Sequence, residues 1–300
     1  MLQRLAKGVR RRIWQLRYPR HYWHMRHYDS RFALRRMGGV TEILWSGAVV
    51  ARSKLPAVLG RSGGTMAIVA SGPSLLATPP DAWQDNDIAC VNGSILWAKE
   101  RNLRPRLYVV SDPGFVKRRL DLIALAAEIS DCVCLTTRCL FEVLRQRPHL
   151  FANKPLFVCE NINQPFGRVQ YTRIEMSRNP RILVDPDRTY EDRFIGVSSD
   201  LDLGVFAGGT VVLAAAQLAI ALGYREVQFL GLDMKQSAGQ HRFYAEGRPE
   251  PSFIDRNLEG LILPSFEALR HYCDRQGIRL SNWSPDSAIP RHLVPQAKAG

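Results

Sequence analysis

The sequence predicts an α/β fold: a Rossmann-like, mostly parallel sheet with helices on both faces, a small lid and a basic N-terminal helical arm. Three observations predict it. Short strand-like segments alternate with helical ones, an order typical of a parallel sheet. The segment 227–230 is apolar without alternation, as expected of a strand covered on both faces. Before it, Gly208-Gly209-Thr210 leads into an alanine-rich helix, which places a helix N-terminus at the ligand-binding edge of such sheets.

The predicted elements divide the chain into an arm, a linker, a catalytic domain and a tail. Residues 1–54 form the arm, and the Pro, Gly and Ser content of 55–65 indicates a linker. The domain spans 66–290, with a lid at about 234–257 and a stretch, 160–206, that has no clear period. Residues 291–300 are the tail. We expect strands at 66–70, 87–91, 107–111, 132–136, 156–159, 227–230 and 278–280, and a helix at 266–275.

Polar residues follow the first three predicted strands at the point where each strand ends. Because the carboxyl ends of parallel strands meet at one edge, we expect these residues to form a single ligand site. Taken singly, each is equally well explained as a turn residue or a helix cap. The predicted binding residues at the strand ends are Ser71, Gly72, Pro73, Ser74, Asn92, Asp112 and, after 227–230, Asp233.

The turn Gly208-Gly209-Thr210 predicts a seat for a phosphate group. Glycines let backbone amides come close to an anion, and the helix N-terminus that follows adds unpaired N–H groups and about half a positive charge. The ligand expected here is therefore of the nucleotide type.

Five stretches carry a resemblance to a known superfamily. They are G-P-S-L at 72–75, V-N-G-S at 91–94, P-R-L-Y-V-V-S-D-P at 105–113, G-G-T-V at 208–211 and A-L-G-Y-R-E-V-Q-F-L-G-L-D at 221–233. Together they resemble the superfamily that joins bacterial CMP-sialic acid-dependent sialyltransferases of the lipooligosaccharide type with 6-hydroxymethylpterin pyrophosphokinase-like (MptE-like) proteins. The resemblance runs from about Met66 to Ser287, and the last stretch is its most specific part.

The resemblance to the sialyltransferase branch implies roles for individual residues. Ser71, Gly72, Ser74 and Asn92 would hold the CMP part of the donor, whereas Asp112 stands where that branch carries an asparagine. Lys235 and Tyr244 correspond to two tyrosines that stabilise the leaving phosphate, and a lysine would bring full charge to that task. The segment that closes the nucleotide pocket would contribute Asn282 and Ser284, with turn formation as the alternative role.

The sialyltransferase branch uses a histidine shortly before its C-terminal helix as the catalytic base. The corresponding residues here, 258–261, contain no histidine. General-base catalysis needs a group within hydrogen-bond reach of the acceptor hydroxyl and a pKa near the working pH. The candidates are His241, Asp255 and Glu259, of which we favour His241 because it lies in the predicted lid. A solvated loop histidine is the alternative.

No metal or cofactor is expected, since a CMP-activated sugar already has a good leaving group. Asp200-Leu201-Asp202 spells the D-x-D of other sugar transferases, but it follows no recognisable strand. Cys132, Cys134 and Cys139 lack a second pair of ligands at zinc spacing, so that buried reduced thiols are expected. The histidines His21, His24 and His27 would diverge around a helix, and we expect a solvated or interfacial face.

The net charge of +13 is concentrated in residues 1–36, where eleven basic residues face only Asp29. Aromatic residues interleave with them, which favours an anionic membrane surface as a partner, at about 1 kcal/mol per cation near the surface. Nucleic acid is the less favoured partner, since no recognised motif accompanies the charge. Without a signal peptide or an apolar run of spanning length, we expect a cytoplasmic protein at the inner face of the membrane. The aromatic residues are Trp14, Tyr18, Tyr22, Trp23, Tyr28 and Phe32.

The predicted function is transfer of an acidic sugar, of the sialic acid or Kdo type, from a CMP-activated donor to a cell-envelope glycan or glycolipid such as lipopolysaccharide. Two alternatives stand beside it. One is an MptE-like pterin pyrophosphokinase that uses ATP and Mg²⁺. The segments Gly208-Gly209-Thr210-Val211 and Asp112-Pro113 resemble that branch at least as well as the transferase branch. The other is a catalytically inactive nucleotide-binding protein. The sequence leaves a homo-oligomer open.

Overall fold

The structure of the protein is a computed structural model that describes residues 16, 20–55, 59, 63–235, 242–243 and 254–297. Its core is one ten-stranded sheet. Helices lie on both faces, and a separate two-stranded sheet accompanies them. The predicted α/β fold with a mostly parallel sheet is confirmed. The strands are β1 Phe32–Met37, β2 Val40–Trp45, β3 Ala48–Ser53, β4 Thr65–Val69, β5 Asp87–Val91, β6 Leu107–Val110, β7 Cys132–Thr136, β8 Leu156–Cys159, β9 Ile182–Tyr190, β10 Arg193–Ser198, β11 Glu226–Leu230 and β12 Arg279–Asn282.

The sheet has the strand order β1-β2-β3-β8-β7-β6-β5-β4-β11-β12. From β3 to β12 every neighbouring pair is parallel, while β1, β2 and β3 pair antiparallel. The central strands are buried along their length because helices cover both faces, which is the reason for their continuous apolar sequences.

The helices divide between the two faces. Five of them belong to the half that precedes β9: α1 Ile95–Glu100, α2 Pro113–Arg118, α3 Leu120–Ile129, α4 Thr137–Gln146 and α5 Arg173–Ser177. Three follow β10: α6 Val211–Ala221, α7 Ile254–Asn257 and α8 Leu263–Gln276, with a π-helical turn, Leu258–Ile262, before α8. Residues of α1 to α4 form one core cluster with one face of the sheet, and residues of α6 and α8 form the other with the opposite face.

Residues 160–206, which showed no clear period in the sequence, contain a small antiparallel hairpin. β9 and β10 are joined by Glu191 and Asp192, both with positive φ (48° and 64°), as a two-residue type I′ turn requires. Five residues form a core of their own beside it: Ile162, Met176, Ile182, Val184 and Phe206. The hairpin escaped prediction because β9 carries a proline and four exposed residues in succession.

The predicted helical arm over 1–54 is wrong for residues 32–53, which form β1, β2 and β3 at the edge of the main sheet. Two tight turns join these strands, at Gly38-Gly39 and Ser46-Gly47, and all four residues have positive φ. Phe32 was counted among the aromatic residues facing a membrane, yet it is 4% exposed and stacks with Tyr28. Gly-Gly and Ser-Gly turns between alternating strands are hairpin signals that the charge of this region obscured.

Candidate active site

The predicted site lies at the topological switch point of the sheet. The chain runs from β4 through β5 and β6 in one direction, and β11 and β12 lie on the other side of β4. Helix cover changes face at the same point, which leaves a crevice at the carboxyl ends of β4 and β11. The loop Ser71–Ser74 follows β4, and Gly231–Asp233 follows β11, so that both predicted loops meet there.

Asp233 binds these two loops together. Its Oδ2 accepts a hydrogen bond from the Ser74 amide at 2.9 Å, and its Oδ1 accepts one from the Ser74 hydroxyl. Ser74 Oγ also lies 2.7 Å from Ser284 Oγ. Because the Ser74 proton is directed at the carboxylate, Ser284 is the donor of that last bond. We call Ser284, Ser74 and Asp233 the switch-point network.

Position 72 requires glycine because there is no room for a Cβ atom, and not because of its backbone conformation. Its φ is −67°, which any residue adopts, but a Cβ atom there would lie 2.6 Å from the Gly231 carbonyl oxygen and against Asp233 Oδ2. The Gly72 amide donates to the same Gly231 oxygen at 2.9 Å. Pro73 begins a short 3₁₀ helix, and the Ser71 carbonyl accepts from the Phe243 amide at 3.1 Å.

Asn92 and Asp112, which follow β5 and β6, differ in the hydrogen bonding of their side chains. Asn92 has a φ of 48°, and its Oδ1 is buried without a hydrogen-bond partner among the described residues. Asp112 caps α2, accepting from the amides of Gly114 and Phe115 at 2.7 and 3.1 Å. The role of helix cap therefore accounts for Asp112, whereas Asn92 presents a buried acceptor that no described residue uses.

The Gly208-Gly209-Thr210 turn lies at the N-terminus of α6, as predicted. Both glycines have positive φ (56° and 78°), and Thr210 makes no side-chain cap bond. Added Cβ atoms would collide with Leu213 at Gly208 and with Ile262 at Gly209. The glycines thus also serve close packing against the π-helical turn; phosphate binding at this helix end stays a prediction.

The remaining predicted residues have different outcomes. Asn282 is 2% exposed and its Oδ1 accepts from the Ser284 amide at 3.0 Å, so it shapes the turn that carries Ser284. Lys235 and Glu259 are exposed. His241, Tyr244 and the side chain of Asp255 lie outside the described residues, so their catalytic roles stay predictions.

A pocket of about 340 Å³ lies at the carboxyl ends of β6, β7 and β8. We call it the α4 pocket, because the first residues of α4 form part of its wall. Nine of its eleven lining residues carry polar side chains, although most of the exposed lining surface is apolar, and Ala207 precedes the glycine turn before α6. The lining residues are His24, His27, Tyr28, Ser111, Pro113, Thr136, Thr137, Arg138, Asn161, Gln164 and Ala207.

The N-terminal segment contributes to this pocket, which the sequence did not predict. The 3₁₀ helix Arg20–His27 lies against the body of the protein, where His24 Nε2 contacts the Pro165 carbonyl at 2.9 Å. Arg138 donates to the His27 carbonyl, and Tyr28 packs edge-on against Phe141. The repeat of histidine every third residue was the available signal, but only the docked conformation brings His24 and His27 to the sheet edge.

Partial burial lowers the pKa of His27 to about 4, with a further contribution from the positive charge of Arg138. The imidazole is therefore neutral at physiological pH. Burial also lowers the pKa of the Arg138 guanidinium, which is held by the buried Glu142 at 2.9 Å. The pocket thus places the Arg138 cation beside the neutral imidazole of His27 and the hydroxyl and amide groups of the other lining residues.

Asp200 of the D-x-D tripeptide is a structural residue. It is 4% exposed, and its Oδ2 accepts from Asn179 at 2.8 Å and from Arg181 at 2.7 Å. All six cysteines are buried free thiols, as predicted. Within the part of the chain that the structure describes, no three His, Cys, Asp or Glu side chains group as a metal site, and no helix is long and apolar enough to cross a membrane.

The fold and its switch-point crevice, taken with comparisons to known proteins, define an α/β protein of the glycosyltransferase class. The chain belongs to the 3-deoxy-D-manno-octulosonic acid transferase WaaZ family, which it matches over residues 57–299. Two relatives are each described as a probable 3-deoxy-manno-octulosonic acid transferase. The one from Escherichia coli K12 is 27% identical over 244 residues, covering 77% of this chain and 81% of its own. The one from Salmonella typhimurium LT2 is 26% identical over 252 residues, covering 77% and 86%.

Two solved structures are similar at lower levels. A MAf glycosyltransferase from Magnetospirillum magneticum AMB-1 has a TM-score of 0.45 and 18% identity, covering 79% of this chain and 34% of its own. The sialyltransferase CstII from Campylobacter jejuni, in complex with "a substrate analogue, cytidine-5'-monophosphate", has a TM-score of 0.45 and 14% identity, covering 80% of this chain and 87% of its own.

Proposed function

We propose that the protein transfers 3-deoxy-D-manno-octulosonic acid from its CMP-activated form to a hydroxyl of a lipopolysaccharide-type acceptor. Membership of the 3-deoxy-D-manno-octulosonic acid transferase family supports the sugar. The observation that carries the proposal is the crevice at the switch point, beside which β5 ends, with Asn92 directly after it. The buried Oδ1 of Asn92 has no hydrogen-bond partner among the described residues and offers an acceptor to a ligand. A cytosine amino group is a donor of the kind that such an oxygen needs.

The reaction is a displacement at the anomeric carbon of the donor sugar. The acceptor hydroxyl oxygen forms the new bond to that carbon while the bond to the CMP phosphate oxygen breaks, and CMP leaves with the electron pair. The proton of the hydroxyl passes to a base, for which His241 is the first candidate. Lys235, and the amides at the N-terminus of α6, would stabilise the charge on the departing phosphate.

We also propose a peripheral position on an anionic membrane, through the basic residues that precede the docked segment Arg20–His27. Six basic residues precede it: Arg4, Lys7, Arg10, Arg11, Arg12 and Arg17. Tyr28 and Phe32 do not belong to the membrane-binding residues, because both pack against Phe141 in an aromatic cluster. Loss of sedimentation with anionic vesicles on deleting residues 2–17 would support this position, and unchanged sedimentation would contradict it.

The test of the function is ligand binding followed by transfer. Thermal stability of the purified protein is measured with CMP, CDP, ATP and GTP, each with Mg²⁺ or EDTA, since a ligand at a hundred times its Kd adds about 2.7 kcal/mol. We expect a shift with CMP that survives EDTA, and release of CMP when CMP-3-deoxy-D-manno-octulosonic acid and an acceptor glycan are supplied. A shift with ATP and Mg²⁺ alone would overturn the proposal in favour of a pyrophosphokinase.

Asn102 offers a matched control for Asn92. Both have a left-handed backbone (φ of 53° and 48°), but Asn102 is exposed on the surface. Alanine at either position introduces the same backbone strain. We expect Asn92→Ala to weaken CMP binding about tenfold through loss of one buried hydrogen bond, while Asn102→Ala binds as the wild type does. Equal effects of the two substitutions would remove Asn92 from the donor site.

A further inference from the structure

The α4 pocket contains a helix N-terminus and an unpartnered buried hydroxyl at the same place. α4 has ten residues and begins at Thr137, so its first N–H groups have no partner inside the helix. Thr136 Oγ1 accepts from the Cys139 amide, the third of these groups. Thr137 is 4% exposed and lines the pocket, and its Oγ1 has no hydrogen-bond partner among the described residues.

A buried hydroxyl without a partner costs free energy unless a ligand completes it. The ligand chemistry follows from the surroundings. A helix N-terminus favours an anion, and Arg138 adds a positive charge at the pocket wall. Glu142 offsets part of that charge, but Lys117 and Arg145 also face Glu142, at 3.5 and 3.3 Å. The volume of about 340 Å³ lies at the lower end of the range of ligand pockets, which suits a single sugar unit.

The position of the pocket relative to the switch point indicates which substrate it takes. Strands in a sheet lie about 5 Å apart, so the ends of β6 and β7 are about 10 to 15 Å from that of β4. A nucleotide bound at β4 and β11 would reach the ends of β6 and β7 only through the donor sugar attached to its phosphate. The pocket continues past that point to β8, under the roof formed by His24 and His27.

We propose that the α4 pocket is the acceptor subsite and that it holds an anionic group of the acceptor sugar, a carboxylate or a phosphate, at the N-terminus of α4 with Thr137 Oγ1 as a donor. This assignment of the acceptor rests on the proposed transfer function; the anion site itself does not. The neutral imidazole of His27 forms part of the roof and adds no competing charge.

The experiment measures direct binding of small probes to the full-length protein by calorimetry, without donor. The probes are the methyl glycoside of 3-deoxy-octulosonic acid, its carboxamide, and glucosamine 1-phosphate. Thr137→Val removes the hydroxyl and keeps the shape, Thr137→Ser restores it, and Thr189→Val is a control at an exposed threonine of β9. We expect Thr137→Val to weaken binding of an anionic probe about tenfold, with the serine and control variants within twofold of wild type.

The two anionic probes distinguish a carboxylate from a phosphate, and the carboxamide should bind wild type as weakly as the glycoside binds Thr137→Val. Binding of all probes that is insensitive to Thr137→Val would overturn the anion site. In transfer assays, we expect a higher acceptor KM with an unchanged donor KM. A rise in donor KM instead would assign the pocket to the donor sugar and overturn the acceptor subsite. If wild type transfers no sugar while anion binding still depends on Thr137, the proposed function fails and the anion site stands.

Discussion

Removing the Asp233 carboxylate tests whether the switch-point network holds the two site loops together. Asp233→Ala deletes the bonds from the Ser74 amide and hydroxyl, and it leaves two donors without their acceptor. Hydrogen bonds to a charged group contribute about 1.5 to 3 kcal/mol each, and the half-buried position of Asp233 favours the lower value. The expected loss is about 3 kcal/mol, or about 6 to 12 °C in Tm for a domain of this size.

A double-mutant cycle measures the hydroxyl bond separately. Ser74→Ala keeps the amide bond to Asp233 and removes the hydroxyl bond, so that the coupling energy between the two substitutions should be about 1.5 kcal/mol. Thermal and urea unfolding of the two single variants and the double variant supply the numbers. Asp286→Ala is the control, because Asp286 is an exposed carboxylate on the loop that carries Ser284. This substitution should change the free energy of unfolding by less than about 0.5 kcal/mol.

A wild-type melting temperature for Asp233→Ala, or additive effects of the substitutions at Ser74 and Asp233, would contradict a role of the carboxylate in holding the loops. Either result would mean that the Gly72 loop is positioned without the carboxylate. Asp233 would then be available to contact a ligand directly.

Two further predictions concern the histidine at the pocket roof and the D-x-D tripeptide. The folded pKa of His27 is lowered to about 4 from an unfolded value near 6.5, so its neutral form stabilises the fold fully above pH 6.5, and this contribution is lost as the pH falls towards 4. Because the ring is partly exposed, the loss will be well below the full linkage value, and His27→Gln should show a smaller drop in Tm between pH 7 and pH 5 than wild type; equal drops would contradict it. Asp200→Asn should destabilise by about 1.5 to 3 kcal/mol and the exposed Asp202→Asn by less than about 0.5 kcal/mol, with Tm values of both unchanged by EDTA. Metal-dependent stability that Asp200→Asn abolishes would show that the tripeptide binds an ion.

Local sequence was sufficient for the central strands and for the loops at their ends. A strand covered on both faces must be apolar throughout, and the polar residue that ends it stands at the sheet edge whatever the neighbouring strands are. This is why Ser71, Asn92 and Asp233 could be placed at one edge before the strand order was known. The family resemblance rests on the same segments.

The N-terminal region shows where a dominant compositional signal misleads. The charge of residues 1–36 favoured the prediction of a single arm, although the two glycine-containing turns are sequence signals for β-hairpins. Strand pairing depends on a partner strand, and β3 finds its partner in β8, more than a hundred residues later in the chain. The docked position of His27 depends in the same way on Arg138.

The sequence by itself determined the α/β class, the carboxyl-edge position of the loops predicted to form the site and the burial of the cysteines, because each follows from short-range pattern and side-chain polarity. Only the tertiary structure decided which polar residues bond to one another. Ser74 and Asp233 are 159 residues apart, and Ser74 and Ser284 are 210 apart, so no local rule relates them. It also separated Asp112, which caps its own helix, from Asn92 and Thr137, whose buried oxygens the described protein leaves unpaired. Hydrogen-bond satisfaction is a property of the packed interior, and so it follows from the tertiary structure and not from the local sequence.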